Sequence, residues 1–343
     1  MTPASGQRRD SIETDRIPYL YIAGASYTGS TLLAFLLNAH SRMASVSEVC
    51  GVLPSATIPE DAIESYWCSC GVLLLQCPFY RELKTRIEDL GSTFDLRDWR
   101  THFQFSRSRI TQLLITHPLR FRALQWMRDS GVKLLPGFKR TAREVGLRSR
   151  HFAQATLAIS GKQVFVDAQK DALRIRFLSE IPELDLKVVH LVRDARAGAA
   201  SYMKHEPDCD AKTAARRWLR ANVSAERARS YVEPNRWMRI LYEQLCSDYQ
   251  NTVDRIADFV GVPRAAVPED FGNTEHHIVG NTMRRGKRRG ITLDESWKTR
   301  LTAGDLAAIR RVAGKWNRTF GFDWPPTERA GSQSRPGLNK AAG

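Results

Sequence analysis

The first apolar run of the chain, Ile17-Pro-Tyr-Leu-Tyr-Ile-Ala-Gly24, is short, aromatic and uncharged, and it closes on glycine, which is the pattern of a buried strand. A Gly/Ser/Thr turn follows, and from Thr31 to His40 the apolar positions repeat at helical spacing. The alternation returns twice: Val164-Phe-Val-Asp167 precedes a helical pattern from Lys170 to Ile181, and Lys187-Val-Val-His-Leu-Val192 precedes one from Asp194 to Lys204. Strand-then-helix units repeated in this way predict a parallel sheet wrapped by helices. A helix from Ala211 to Tyr231, a strand Trp237 to Leu241, a helix Tyr242 to Val260 and a last helix Ala303 to Asn317 complete the expected core. The predicted fold class is α/β, a three-layer α/β/α arrangement around a central parallel sheet, and the G-x-x-x-x-G spacing of Gly24 to Gly29 between the first strand and helix makes it P-loop-like.

Phe94 to Ser160 breaks this rhythm, with no strand pattern and many Arg residues at helical spacing, and predicts a helical insertion (94–160) into the α/β core. Residues 1–16 and 325–343 are rich in Pro, Gly, Ser and charge and predict disordered tails, leaving 17–324 as one folded domain. No stretch approaches the ~18 consecutive apolar residues that would span a bilayer, and the polar N-terminus has no apolar signal-peptide core, so the expected compartment is cytoplasmic.

Charge adds a partner class. The 343 residues hold 52 Lys+Arg against 37 Asp+Glu, a formal +15, which favours an anionic partner. The surplus is uneven: Arg97 to Arg150 has 13 basic and 3 acidic residues, Lys212 to Arg239 has 8 and 2, and Arg284 to Arg289 carries +5, so the rest of the chain is −6. No helix-turn-helix, zinc-finger or aromatic RNP motif accompanies the charge, so a nucleic-acid module is disfavoured.

The chemistry begins at Gly24-Ala-Ser-Tyr-Thr-Gly29-Ser30-Thr31, which has the glycine spacing of a P-loop between a strand and a helix. Glycines let successive N–H groups and the positive helix end converge on one anion, and Ser26, Tyr27, Thr28, Gly29, Ser30 and Thr31 form the expected phosphate cradle. The Lys of a nucleoside-triphosphatase loop is replaced by Ser30, which weakens a kinase-like reading, as does the lack of a recognisable Walker B aspartate. A second phosphate signal is Arg193 at the carboxyl end of a strand with Ser201 in the next helix, at the edge where open α/β sheets bind ligands.

Together, Tyr27-Thr-Gly-Ser-Thr-Leu-Leu33, Leu-Val-Arg193-Asp194 and Ser201 resemble the sulfotransferases that use 3′-phosphoadenosine 5′-phosphosulfate (PAPS), in particular the bacterial, carbohydrate and tyrosyl-protein types. The resemblance continues through Asn38-Ala-His40 to Val46-Ser47-Glu48, Tyr242-Glu243 and His277-Ile-Val-Gly280-Asn281-Thr-Met283-Arg284. It implies that the loop holds the 5′-phosphosulfate, that Arg193 and Ser201 in an R-D-x(6)-S arrangement hold the 3′-phosphate, and that Met283 and Arg284 belong to the late segment closing over the nucleotide. Members usually carry Lys or Arg where this chain has Tyr27, and Lys170, in Asp167-Ala-Gln-Lys170, is the expected replacement cation.

What the resemblance implies is sulfuryl transfer from PAPS to a hydroxyl or amine of a carbohydrate, lipid or other small acceptor, with Glu48 as catalytic base. The alternatives are a kinase-like P-loop enzyme and a PAPS-binding protein with degenerate catalysis. His102, His117 and His151 are substitute bases within the insertion. The basic insertion is read as facing an anionic acceptor, an acidic lipid surface or solvent, which leaves room for peripheral membrane contact. Cys68, Cys70 and Cys77, with Cys50 upstream, have enough sulfurs for a zinc site, but C-x-C-x(6)-C is not a standard ribbon spacing. They are read as buried thiols or a bond pinning a loop, and no metal is expected.

Overall fold

The computed structural model describes residues 16–50, 60–106, 108–116, 119, 121–280 and 290–324. Five parallel strands form one sheet in the order β2-β3-β1-β4-β5: β1 Ile17–Gly24, β2 Met43–Ser47, β3 Val164–Lys170, β4 Leu184–Val192 and β5 Trp237–Leu241. Around it lie α1 Ser30–Ala39, α2 Pro78–Asp89, α3 Arg109–Thr116, α4 Arg122–Val132, α5 Pro136–Ser160, α6 Ala172–Leu178, α7 Ala195–His205, α8 Ala211–Ala228, α9 Tyr242–Ser247, α10 Tyr249–Val260, α11 Trp297–Arg300 and α12 Ala303–Thr319.

The layering follows from the two-residue period of β1. Tyr19, Tyr21 and Ala23 face a core built with Phe152 of α5, Ile175 and Leu178 of α6 and Ala225 of α8, whereas Leu20 and Ile22 face Leu33, Leu36 and Leu37 of α1 with Val253 and Ile256 of α10. Each fully buried large apolar side chain contributes roughly 1.5–3 kcal/mol, so a central strand packed on both faces is strongly held. The two buried tyrosines keep their hydroxyls satisfied: Tyr19 donates to Asp167 Oδ2 (2.7 Å) and Tyr21 to the carbonyl of Asp171 (2.7 Å).

Several elements differ from the sequence reading for local reasons. Strand β3 runs on to Lys170, with Asp171 as the N-cap accepting from Leu173 N–H (3.0 Å), so Lys170 ends a strand and does not open a helix. The long helix expected from Tyr242 divides where Asp248 (φ −150°) caps α10 through Asn251 N–H (3.0 Å). Helix α8 ends at Ala228, followed by a 3₁₀ turn over Arg229–Tyr231. Residues 94–160 carry α3, α4 and α5, and no named strand lies among the described ones.

Large apolar side chains are exposed along the first two of these helices, among them Ile110, Leu114, Trp126 and Met127. A cavity of about 590 Å³ lies against α5 and the turn before β4, lined by Lys139, Arg143, Arg150, Glu180 and Glu183, at the amino-terminal edge of the sheet. No helix of the described residues is long and apolar enough to cross a membrane. The predicted tails lie outside the described residues, apart from Arg16.

Candidate functional site

The strand order reverses direction at β1. Its exit loop leads to α1 and outward to β2, while the exit of β4 leads to α7 and the opposite flank, opening a crevice at the carboxyl edge between them. Gly24 sits opposite Leu191 in this register, and a Cβ there would come within 2.5 Å of the Leu191 carbonyl oxygen. Gly29 (φ 86°) is the N-cap of α1 and passes under Tyr242, whose ring a Cβ would strike at 2.4 Å. Both glycines are therefore dictated by close approach.

Helix α1 starts without a side-chain cap and without an acidic residue in its first turn, so its free N–H groups and positive end are available to an anion. Ser30 and Thr31 lie at this start and are largely buried. Thr28 turns inward, donating to the carbonyl of Ala25 (2.8 Å), so its hydroxyl closes the loop instead of facing a ligand. Ser26 is exposed and bonds Tyr202.

Tyr27 (φ 62°) points away from the loop. Its ring stacks on His205 (5.2 Å between centroids) and meets Tyr202 edge-on (4.9 Å), and its hydroxyl donates to Glu206 Oε1 (3.3 Å). Burial, reinforced by Glu206, pushes the phenol up to about 12. What Tyr27 does offer the crevice is its backbone carbonyl, which accepts from Arg193 Nη1 (3.0 Å).

Arg193 leaves the end of β4 almost wholly buried. Its Nη1 also donates to Ser201 Oγ (3.2 Å), its guanidinium lies 4.4 Å from the Tyr242 ring centroid, and its carbonyl accepts from Trp218 Nε1 (2.9 Å). Trp218 fits there because α7 is lined with small residues, and a Cβ on Gly198 would come within 2.8 Å of its ring. A second Arg193 nitrogen, Nη2, holds Asp294 through both carbonyl (3.1 Å) and carboxylate (3.1 Å), while Nε has no partner among the described residues. Partial burial pushes the Asp294 carboxyl up, but hydrogen bonds from Ser296 and Arg193 outweigh it and bring the group down to about 2. Nothing in the local sequence around Asp294 announces this pairing.

Across β1, the ends of β2 and β3 bring Glu48 and Lys170 together as an ion pair. Lys170 (φ 73°) lies beside Ala23 in the β1–β3 register, at the start of the loop. The backbone behind Glu48 is fixed by Val279 N–H donating to the carbonyl of Val46 (3.0 Å) and by Gly280 (φ 114°), where a Cβ would come within 2.9 Å of Glu48 Cδ. Just beyond it, Thr101 Oγ1 donates to the carbonyl of Val49 (2.6 Å). The carbonyl of Thr101 is in turn held by Arg174, whose buried guanidinium also pairs with Asp167 (2.8 Å) and donates to Ser149 Oγ (3.1 Å). That network ties the 94–160 helices to the Glu48 end of the sheet.

Two of the substitute bases have local partners of their own. His151 is bonded to Ser92 Oγ (2.8 Å) and burial lowers its pKa, and His102 bonds Gln104 (3.1 Å). His117, Met283 and Arg284 lie outside the described residues.

A family model described as "Sulfotransferase family" matches residues 18–266. The chain belongs to the sulfotransferase family. This sulfotransferase-family chain is similar in structure to the sulfotransferase domain of the olefin synthase of Synechococcus PCC 7002, at 18% identity and a TM-score of 0.53, covering 91% of this chain and 97% of that one. It is also similar to the sulfotransferase domain from the curacin biosynthetic pathway, at 18% identity and a TM-score of 0.50, covering 90% and 100%. At such identities the likeness speaks for the fold. No curated protein sequence matches the chain.

Proposed function

We propose that the chain transfers a sulfuryl group from PAPS to a hydroxyl or amine of a carbohydrate, lipid or other small acceptor. The observation that carries the reading is Arg193, buried, fixed by Ser201 and the Tyr27 carbonyl, and set across the crevice from the uncapped start of α1. A bisphosphate nucleotide needs two anion sites on one crevice, and these two are of the required kind. In this reading Asp294 occupies the hand of Arg193 that the 3′-phosphate takes, and it gives way when the nucleotide binds.

When bound, PAPS supplies a sulfuryl group already activated by a phosphate leaving group. The protein has to orient the acceptor in line, remove its proton and neutralise charge on the leaving phosphate oxygen. Glu48 accepts the proton of the acceptor hydroxyl as the new O–S bond forms and the S–O bond to phosphate breaks. Lys170 neutralises the leaving oxygen, which Tyr27 cannot do from its position against His205. The Glu48–Lys170 ion pair must then open, with Lys170 transferring to the phosphosulfate and leaving the Glu48 carboxylate free to act as base.

A PAPS-binding protein without turnover is the second reading, favoured by the outward Tyr27 and the closed Glu48–Lys170 pair. Calorimetry with adenosine 3′,5′-bisphosphate tests what both share: no binding at micromolar concentration would remove them together. Transfer of labelled sulfate from PAPS into glycan, lipid and phenolic acceptors then separates them, because only the first produces a sulfated acceptor.

A further inference from the structure

Cys68 and Cys70 flank a tight turn. Cys68 N–H donates to the carbonyl of Val72 (2.8 Å), Gly71 N–H to the carbonyl of Cys68 (3.1 Å), and Gly71 takes φ 91°. Cys77 is the N-cap of α2, one short 3₁₀ turn further on. Into the space between these sulfurs comes His277, 200 residues downstream of Cys77. Its Nδ1 lies 3.3 Å from Cys77 Sγ and 3.8 Å from Cys68 Sγ, and Cys70 Sγ lies 3.7 Å from Cys77 Sγ. All four donor atoms fall within 4.8 Å of one another.

The three separations of 3.3, 3.8 and 3.7 Å are close to the edges of a metal tetrahedron. With Zn–S of ~2.3 Å and Zn–N of ~2.0 Å, tetrahedral geometry puts sulfur atoms about 3.8 Å apart and sulfur and nitrogen about 3.5 Å apart. A disulfide needs sulfurs about 2.05 Å apart, and all six cysteines of the chain are free. A thiol–imidazole hydrogen bond accounts for one cysteine beside Nδ1, not for three sulfurs gathered with it.

The surroundings are those of a ligand set. His277 Nε2 faces Glu275 Oε1 (3.1 Å), which assigns the ring proton to Nε2 and leaves the Nδ1 lone pair towards the sulfurs. The ring stacks on Phe79 with centroids 4.4 Å apart, and the His277 carbonyl accepts from Tyr80.

We propose that Cys68, Cys70, Cys77 and His277 bind one zinc ion as a closed structural site that clamps the 66–77 turn onto the segment behind Glu48. Four protein ligands leave no open coordination position, so the ion holds structure and takes no part in the transfer chemistry. The proposal departs from the expectation of no metal, drawn from cysteine spacing, because the fourth ligand comes from a distant segment. The clamp is reinforced by Ser69, whose Oγ donates to the carbonyl of His276 (2.7 Å) and accepts from Ile278 N–H (2.7 Å). Tyr66 adds a second tie, accepting from Gly280 N–H (2.7 Å) and donating to its carbonyl (2.9 Å). The residues so held, Val279 and Gly280, are those that position Glu48.

The test is the metal content of the full-length, untagged protein purified in reductant without chelator. About one zinc per chain is expected, and cobalt(II) exchange should give the visible d–d bands and thiolate charge-transfer absorption of a tetrahedral sulfur-rich site. Cys77→Ser and His277→Ala should lose the zinc, Cys209→Ser should retain it, and stripping the ion should lower the melting temperature reversibly, with recovery on zinc but not magnesium. If the reduced wild-type protein neither carries zinc nor takes up cobalt into such a spectrum, the site does not exist. Full zinc occupancy in both Cys77→Ser and His277→Ala would equally overturn it. The wild-type metal content and cobalt spectrum decide the matter even if a variant fails to fold.

Discussion

Arg193 and Lys170 stand at the same edge of one sheet, two strands apart, and each already holds a carboxylate, yet the two pairs differ in kind. The Arg193 side chain is 6% exposed while its partner Asp294 is 45% exposed and comes from a surface segment, so the cation is fixed and the anion replaceable. Lys170 and Glu48 are 17% and 23% exposed, both partly shielded and both assigned work in the proposed reaction. In the proposed function the first pair is a receptor with a stand-in for its ligand. The second, in the same proposal, is a pair of working groups that neutralise each other until a substrate separates them.

The largest effect that would break this contrast is expected from Glu48→Gln. It should lower turnover about 10²–10⁴-fold, the usual worth of a general base, while leaving adenosine 3′,5′-bisphosphate binding by calorimetry unchanged. Full activity in that variant would remove Glu48 as the base. Lys170→Ala should cost about 10²–10³ in kcat, since it deletes one cation at the developing charge, again with little effect on the bisphosphate.

Arg193→Ala acts on the other half and should weaken bisphosphate binding by about 10–100-fold, corresponding to lost charge-assisted hydrogen bonds of ~1.5–3 kcal/mol. The smallest and most discriminating change is Asp294→Asn. Removing the internal competitor should tighten binding about two- to fivefold, the worth of a partly exposed ion pair. Because its carboxyl titrates at about 2, Asp294 is ionised throughout the neutral range, so this gain should not vary with pH there. Unchanged or weaker binding would mean that Asp294 supports Arg193 instead of standing in for a phosphate.

Strand β1 and the loop after it were legible at their true boundaries, since an uncharged aromatic run closed by glycine has few other uses in a folded chain. Strand β5 was equally plain. Strand β2, Met43-Ala-Ser-Val-Ser47, was not, because its two serines interrupt the apolar run. Both are buried, and Ser45 Oγ donates to the carbonyl of Val166 (3.0 Å), a partner no local pattern reveals. Helix α2 did carry a signal in Tyr80, Leu83 and Ile87 at helical spacing, behind a cysteine cap and a first-turn proline.

The linear chain carries a set of local devices: alternating elements, a glycine loop, an arginine after a strand and three closely spaced cysteines. Such signals depend on neighbours within a few residues, where backbone geometry and burial period act directly. Which of them meet was left to packing. Packing turned Tyr27 outward, joined Glu48 to Lys170 across 122 residues, set Asp294 in the hand of Arg193 from 101 residues away, and brought His277 to the cysteines. A charge or a ligand set is completed by whichever group is delivered to it in space, and that delivery is settled by the whole sheet and its layers rather than by any one segment.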